Sequence, residues 1–262
     1  MTMRVGRVLL LMLLFAALPI GTAAAAELKV VSAGAMRAVL QELAPQFEKT
    51  TGHKLAIEYA TAGKVEEKVV NDESIDVAIL TKPRVDKLIQ VAKLVGGTTV
   101  TLASAPIGLA VKKGAPKPDI STVEAFKRTL LNAKSIAYTD PASGGTSGTH
   151  LAKVLEKLGI AAELKPKTRL VSSSPGQGSP RVGEAVLRGE AEIALQPISE
   201  LQEVEGIEVV GPIPAELQSP DLVYQAASPN VSEQPMLAKA LIDYLASPAA
   251  KAVYKAKGME PG

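Results

Sequence analysis

The chain has 262 residues, a formal net charge of +2 and no cysteine. The nearly balanced charge excludes any whole-protein argument for nucleic acid or acidic membrane surfaces as partners, and the lack of cysteine excludes disulfides and thiol nucleophiles. With no tryptophan and 3% aromatic residues, the chain is poorly equipped to stack bases or sugars, and its core must be aliphatic.

The N-terminal segment has the pattern of a secretory signal peptide, which we predict over residues 1–26. Two arginines precede an apolar run over residues 8–17 that is too short to span a bilayer, and alanines 24–26 supply an A-x-A cleavage site. We therefore expect an exported, soluble protein that begins at Glu27 and is held together by its core.

Short aliphatic strands alternate with amphipathic helices over the rest of the chain. In chain order the predicted strands are LKVVSAG, KLAIEYA, DVAIL, IGLAVKK, SIAYTD, EIALQ, IEVVG and LVYQAA. This alternation is typical of βαβ units, so we predict an α/β fold with mostly parallel sheets.

The intervening helices are predicted from apolar stripes and end signals. Ser121 and Glu124 form a capping-box pattern, and Ser247 before Pro248 is predicted to cap the last helix. One stripe stops before Gly52 and consists of Met36, Val39, Leu40, Leu43 and Phe47.

Four loops share a feature that indicates an anion site. At residues 32–36, 61–65, 140–148 and 174–183 a strand ends in small polar residues that open a helix. Helix starts carry unpaired amides and a partial positive charge, and glycine or alanine lets a ligand approach them closely. Because such loops gather at the carboxyl ends of parallel strands, we predict that they share one cleft.

Two basic residues stand at predicted helix starts. Lys64 follows the second loop, and Arg181 is predicted in the first turn of a helix capped by Ser179. A cation there opposes the helix dipole unless an anion joins it, so both are candidates to face the ligand. The alternatives are a side chain that reaches solvent, or an internal partner such as Glu66 or Asp140.

Signals for catalysis are weak. The two histidines, His53 and His150, are too few for a histidine-rich metal site, and the GTSG around Ser147 misses the G-x-S-x-G nucleophile elbow. Ser147 and His150 would share a helix face, but no orienting acid is identifiable. We predict no metal, no cofactor and no enzyme activity, with a Ser147/His150 hydrolase as the alternative.

With these loops in order, the chain resembles a periplasmic solute-binding protein of an ABC importer, specifically the molybdate-binding type. The resemblance is carried by LKVVSAGAMRAVLQELAPQFEKTTGHKL, YATAGKVEEKV, DVAIL, SIAYTDPASGGTSGTHLAKVLEKLGI, VLRGEAEIAL and ALIDYLASPAAKAVYKAKGM. It implies a two-lobed type II periplasmic-binding-protein fold that closes over its ligand by hinge motion. The implied lobe 1 is residues 27–104 with 221–262, and lobe 2 is residues 105–220, with crossover segments near 102–107 and 211–222.

The loops, the two cations and the resemblance together yield a set of candidate ligand contacts. Ala35 stands where the molybdate-binding type places a serine hydroxyl, and Gln196-Pro197 replaces a tyrosine. The full set is Ser32, Ala35, Thr61, Gly63, Lys64, Gly145, Thr146, Ser147, Ser179, Arg181 and Gln196.

The resemblance favours capture of a small oxyanion such as molybdate or tungstate in the periplasm, by a monomer that delivers it to a membrane permease and ATPase. No nucleic acid partner is expected. A small organic polycarboxylate is the alternative ligand, because arginine often holds carboxylates in a bidentate pair. A sensor that reports to a membrane receptor is a further alternative.

Overall fold

The structure is a computed structural model that describes residues 25–71, 73–172 and 178–262. Nearly all of the predicted signal peptide lies outside these ranges, and so do residues 173–177, which include the first part of the predicted fourth loop. No helix among the described residues has the length and apolar character needed to cross a membrane.

The secondary structure alternates as predicted. The strands are β1 (Glu27–Ala33), β2 (Lys54–Ala60), β3 (Val77–Thr81), β4 (Val100–Ser104), β5 (Ile107–Lys112), β6 (Ile136–Thr139), β7 (Thr168–Val171), β8 (Ile193–Pro197), β9 (Ile207–Pro212), β10 (Val223–Ala227) and β11 (Glu260–Pro261). The helices are α1 (Arg37–Thr51), α2 (Ala62–Val70), α3 (Lys82–Gln90), α4 (Val123–Asn132), α5 (Thr146–Lys157), α6 (Ala161–Leu164), α7 (Gly183–Leu187), α8 (Ile198–Leu201), α9 (Pro235–Leu245) and α10 (Pro248–Ala256).

Within the described residues these strands form two sheets, one in each lobe. Lobe 1 has the strand order β11-β4-β10-β3-β1-β2, and lobe 2 has the order β7-β6-β8-β5-β9. Strand β1 is parallel to β2 and β3, and β6 is parallel to β7 and β8. Strands β5 and β10, which enter each sheet directly from the other lobe, pair antiparallel with their neighbours. The predicted two-lobed α/β fold is confirmed.

The predicted end signals have mixed outcomes. Gly52 ends α1 in the left-handed conformation with φ 75°, and the Ser247 hydroxyl caps α10 by accepting from Ala250 N. The predicted cap at Ser121 is wrong, because the Thr122 hydroxyl accepts from Ala125 N at 3.1 Å instead. The Ser121 hydroxyl is held by the nearby carboxylate of Asp119.

The core is aliphatic, and its packing fixes the positions of the loops. The predicted stripe of α1 is buried against the lobe 1 sheet, with Met36, Val39, Leu40, Leu43 and Phe47 at most 2% exposed. Complete burial of one such side chain stabilises a fold by roughly 1.5–3 kcal/mol.

The short strands β4, β7 and β11 were not predicted, because they lack a continuous apolar run. The carboxyl ends of β1, β2, β6, β7 and β8 bring the loops that follow them to the space between the lobes.

Candidate functional site

A small cavity, here called the cradle, lies between the lobes where the four predicted loops meet. Its free volume is about 20 Å³, so a ligand larger than water needs the lobes to separate before it enters. The walls are formed by Ala33, Gly34, Ala35, Thr61, Ala62, Thr139, Gly145, Thr146, Ser147, Ser179, Pro180, Glu200 and Tyr224.

The start of α5 offers free polar groups to the cradle. Gly145 caps this helix, and the buried Thr146 Oγ1 has no hydrogen-bond partner among the described residues. Gly148 lets the helix approach β6, because a Cβ there would lie 2.0 Å from the Thr139 carbonyl oxygen. The first amides of α5 therefore point into the cradle with a hydroxyl beside them.

Backbone contacts between α2 and the loop before α5 hold the lobes together. The Thr61 hydroxyl donates to Ser143 O at 2.8 Å, and Gly63 N donates to Gly144 O at 3.1 Å. A Cβ on Gly63 would lie 3.1 Å from Gly144 Cα. The Gly63 amide is thus used for lobe contact rather than offered to the cradle, which corrects its predicted role.

A carboxyl group that sequence reasoning missed forms part of the wall. The Ser179 hydroxyl donates to Glu200 Oε1 at 2.9 Å. Burial raises the pKa of Glu200 to about 7, against the hydrogen bond from Ser179, which lowers it. Burial also raises the pKa of Tyr224, and the nearby charge of Glu200 adds to this. Glu200 therefore changes its protonation state close to neutral pH.

Gly34 makes room for this carboxyl. A Cβ at position 34 would lie 2.0 Å from Ser179 Oγ and 2.7 Å from Glu200 Oε1, both of which belong to the other lobe. Glycine is therefore required at this position for the lobes to meet as they do.

The two predicted cations do not line the cradle. Lys64 Nζ pairs with Glu67 Oε2 at 2.6 Å in solvent. Helix α7 begins at Gly183, so the prediction that Arg181 lies in its first turn is wrong. The Arg181 guanidinium pairs with Glu184 at 3.1 Å and donates to the Glu203 carbonyl. Both side chains satisfy their charge on the surface instead.

Two more candidate ligand contacts use their side-chain polar groups in hydrogen bonds within the protein. Ser32 is fully buried in β1, and its hydroxyl donates to Ala33 O at 3.1 Å. Gln196 Oε1 accepts from Val182 N at 3.1 Å, and its Nε2 donates to Pro180 O at 2.9 Å. Gln196 therefore braces the segment that carries Ser179 rather than facing the cradle.

Evidence for a Ser147/His150 hydrolase is lacking in the described part of the chain. His150 Nε2 lies 2.7 Å from the Leu217 carbonyl oxygen, and no hydrogen bond joins His150 to Ser147. The same residues include no group of three or more side chains arranged to hold a metal ion. The cradle is built from amides, hydroxyls and one carboxyl.

The comparisons with known proteins agree with this two-lobed architecture. Residues 28–260 match the family model of the bacterial extracellular solute-binding proteins. The chain belongs to this family. Proteins of this kind in ABC importers bind small ligands and work with a membrane permease and an ATPase, and they are extracellular or periplasmic.

Relatives of this solute-binding protein differ in the activity they are named for. It is 36% identical to an aconitate isomerase of Pseudomonas sp. over 254 residues, which cover 95% of this chain and 91% of that protein. It is 29% identical to a molybdate-binding protein of Azotobacter vinelandii over 246 residues, covering 90% of each. The structure of an Azotobacter vinelandii periplasmic molybdate-binding protein aligns with a TM-score of 0.72 at 23% identity, covering 88% of this chain and 98% of that one.

Proposed function

We propose that this solute-binding protein captures a small organic polycarboxylate in the cradle and presents it, as a monomer, to an importer. The observation that carries the proposal is that the first loop lines the cradle with Ala33, Gly34 and Ala35, which have no hydroxyl, while the carboxyl of Glu200 forms the opposite wall. Ala35, Thr61, Gly145, Thr146, Ser147 and Ser179 are the sequence-predicted contacts that line this cavity.

A tetrahedral oxyanion fits this donor set less well. Each buried oxygen without a donor costs roughly 1–3 kcal/mol, and molybdate presents oxygens in every direction. Ala35 supplies no hydroxyl, and Glu200 offers at most one donor, when protonated, to the oxygens of the anion. A carboxylate needs donors on one side, which the amides of α5 supply, and protonated Glu200 can donate to a second group of the ligand. The relative named an aconitate isomerase adds support for this class of ligand.

Two measurements on a panel of ligands test this proposal: affinity by calorimetry, and thermal stability of the protein with each ligand present. The panel is citrate, cis-aconitate, trans-aconitate, molybdate, tungstate, sulfate and phosphate. A ligand at 100 times its dissociation constant stabilises the protein by about 2.7 kcal/mol, which shifts the unfolding midpoint by several degrees. We expect a shift with polycarboxylates. A shift with molybdate and tungstate, and none with polycarboxylates, contradicts the proposal.

A second candidate function is isomerisation of the bound polycarboxylate, favoured by the position of Glu200. Moving a double bond by a proton shift requires a group that takes a proton from one carbon and returns one to another. A carboxyl with a pKa of about 7 in a cavity wall suits that task at neutral pH. Incubation of catalytic amounts of protein with trans-aconitate, followed by proton NMR, tests it: a binding protein leaves the isomer ratio unchanged.

Arg181→Ala is expected to change the affinity for the polycarboxylate less than about twofold. The guanidinium is committed to Glu184 and to the Glu203 carbonyl, so its removal takes no contact from the cradle. Calorimetry of the variant beside wild type checks this. A tenfold weaker affinity would mean that the side chain turns into the cleft when ligand is present.

A further inference from the structure

A second cavity, here called the annex, adjoins the cradle on the hinge side. Its free volume is about 330 Å³. Both lobes and the returning crossover segment contribute to its walls, which are Glu66, Thr81, Pro83, Arg84, Lys87, Thr146, Thr149, His150, Lys153, Ser219 and Asp221.

Thr146 joins the two cavities, because it lines both. Its buried hydroxyl has no partner among the described residues, although it sits between two spaces that a ligand can reach. Thr81 of the annex is also the register partner of Tyr224 of the cradle in the pairing of β3 with β10. The two cavities therefore share Thr146 in their walls and lie beside neighbouring strands of the lobe 1 sheet.

The annex is lined by three basic side chains, Arg84, Lys87 and Lys153, and by two carboxylates, Glu66 and Asp221. Arg84 and Lys87, on lobe 1, share the single carboxylate of Glu66, with Lys87 Nζ at 2.7 Å from Oε1. Burial opposes ionisation of Glu66, yet these two cations keep its pKa below the ordinary value. On lobe 2, the exposed Lys153 has no ion pair within the described ranges. Cations thus face the annex from both lobes.

We propose that the annex is a second anion subsite, which takes the distal carboxylate of a ligand whose first carboxylate occupies the cradle. This inference rests on the proposed function and narrows the ligand to di- and tricarboxylates. A carboxylate between Lys153 and the Arg84–Lys87 pair is attracted by both lobes, so it stabilises the closed form. An inorganic oxyanion has no distal carboxylate to place in the annex, so the annex residues are expected to add nothing to its binding.

The test compares wild type with Lys153→Met and with Lys157→Met, a control one turn further along the exposed face of α5. The probes are trans-aconitate, tricarballylate and molybdate. Removal of one charged hydrogen bond predicts about a tenfold to hundredfold weaker affinity of Lys153→Met for both tricarboxylates. Lys157→Met is expected to stay within about twofold of wild type, because its side chain lies outside the annex.

The outcomes separate the two proposals. If wild type binds the tricarboxylates and Lys153→Met binds them equally well, the annex is not a subsite, while the proposed function stands. If wild type binds none of the polycarboxylates, citrate and cis-aconitate included, the proposed function fails and the subsite fails with it. Lys153→Glu serves as a second variant, which must weaken tricarboxylate binding further than Lys153→Met does, and equal affinities of the two variants overturn the subsite.

Discussion

Gly34→Ala is expected to weaken ligand binding about 100-fold while leaving the fold intact. The new Cβ would lie 2.0 Å from Ser179 Oγ and 2.2 Å from Ser179 Cβ, distances that no side-chain rotation relieves. Overpacking of this kind costs roughly 1–3 kcal/mol, and the separation here is far inside contact, so we expect the upper end. The cost falls on the closed form, because the clashing residues belong to opposite lobes. Calorimetry reports the affinity, and small-angle scattering reports whether the lobes still close on ligand.

Two further variants make this result specific. Gly97→Ala is the matched control, because a Cβ there meets nothing within 4 Å and its affinity should equal that of wild type. Ser179→Gly in the Gly34→Ala background removes the two nearest clashing atoms and leaves Glu200 Oε1 at 2.7 Å, which is the end of a flexible side chain. It should therefore restore closure in scattering even if affinity recovers in part. Wild-type affinity in Gly34→Ala alone would show that the ligand-bound lobes do not meet at this point.

The converging loops were predictable from local sequence. Strand ends followed by small polar residues identify Ala35, Thr61, Thr146 and Ser179, because the carboxyl ends of parallel strands must share an edge. The local pattern carries this information: each loop needs a helix start, and each helix start needs small residues near its cap.

The contributions of the opposite lobe could not be predicted in the same way. In the sequence, Gly34 has the features of an ordinary turn residue. Glycine is required there because of Ser179 and Glu200, which are distant in the chain. Glu200 lies four residues beyond Gln196 in α8, where a carboxylate at a helix start reads as a favourable dipole contact. The sequence did contain one indication of this contribution. Strand β8 also ends in this cleft, so the loop that follows it could have been predicted to join the other four.

The prediction that Lys64 and Arg181 face the ligand overlooked an acidic residue three positions further along the chain from each of them. Lys64 has Glu67 three residues ahead, and Arg181 has Glu184 at the same spacing, which is the separation of a surface ion pair on one helix face. The positive charge of the annex comes from other residues, among them Lys153 and Arg84, which belong to different lobes and meet only because the lobes pack together.

Closure and charge are linked at Glu200. Its neighbours are Ser179, Gln196, Glu203 and Arg37, and burial in the closed lobes is the main reason for its raised pKa. The folded form keeps its proton up to about pH 7, whereas the unfolded chain loses it near the ordinary value of 4.5. The unfolded chain therefore binds fewer protons in this window, and the free energy of unfolding falls as the pH rises from about 4.5 to 7.

Glu200→Gln is expected to abolish the pH dependence of ligand binding. In wild type the neutral carboxyl accepts an anionic neighbour below pH 7, and ionisation above pH 7 weakens the affinity by up to about tenfold per pH unit. Glutamine stays neutral, so its affinity should be flat between about pH 7 and 9. The last carboxyl of a polycarboxylate ionises at a higher pH than an isolated one, because its neighbours are already charged, so the slopes are compared only above about pH 7. Calorimetry at each pH measures the slopes.

Glu67→Gln is the matched control for this prediction, because Glu67 pairs with Lys64 at 2.6 Å in solvent, outside the cradle. It should keep the wild-type slope, and an equal slope in Glu200→Gln would assign the titration to another group.

Glu200→Gln also separates capture from catalysis. If the protein isomerises trans-aconitate, loss of its proton-transfer group lowers turnover by roughly 10²- to 10⁴-fold while affinity at pH 6 remains near that of wild type. A pure binding protein shows the altered slope and no turnover in either form.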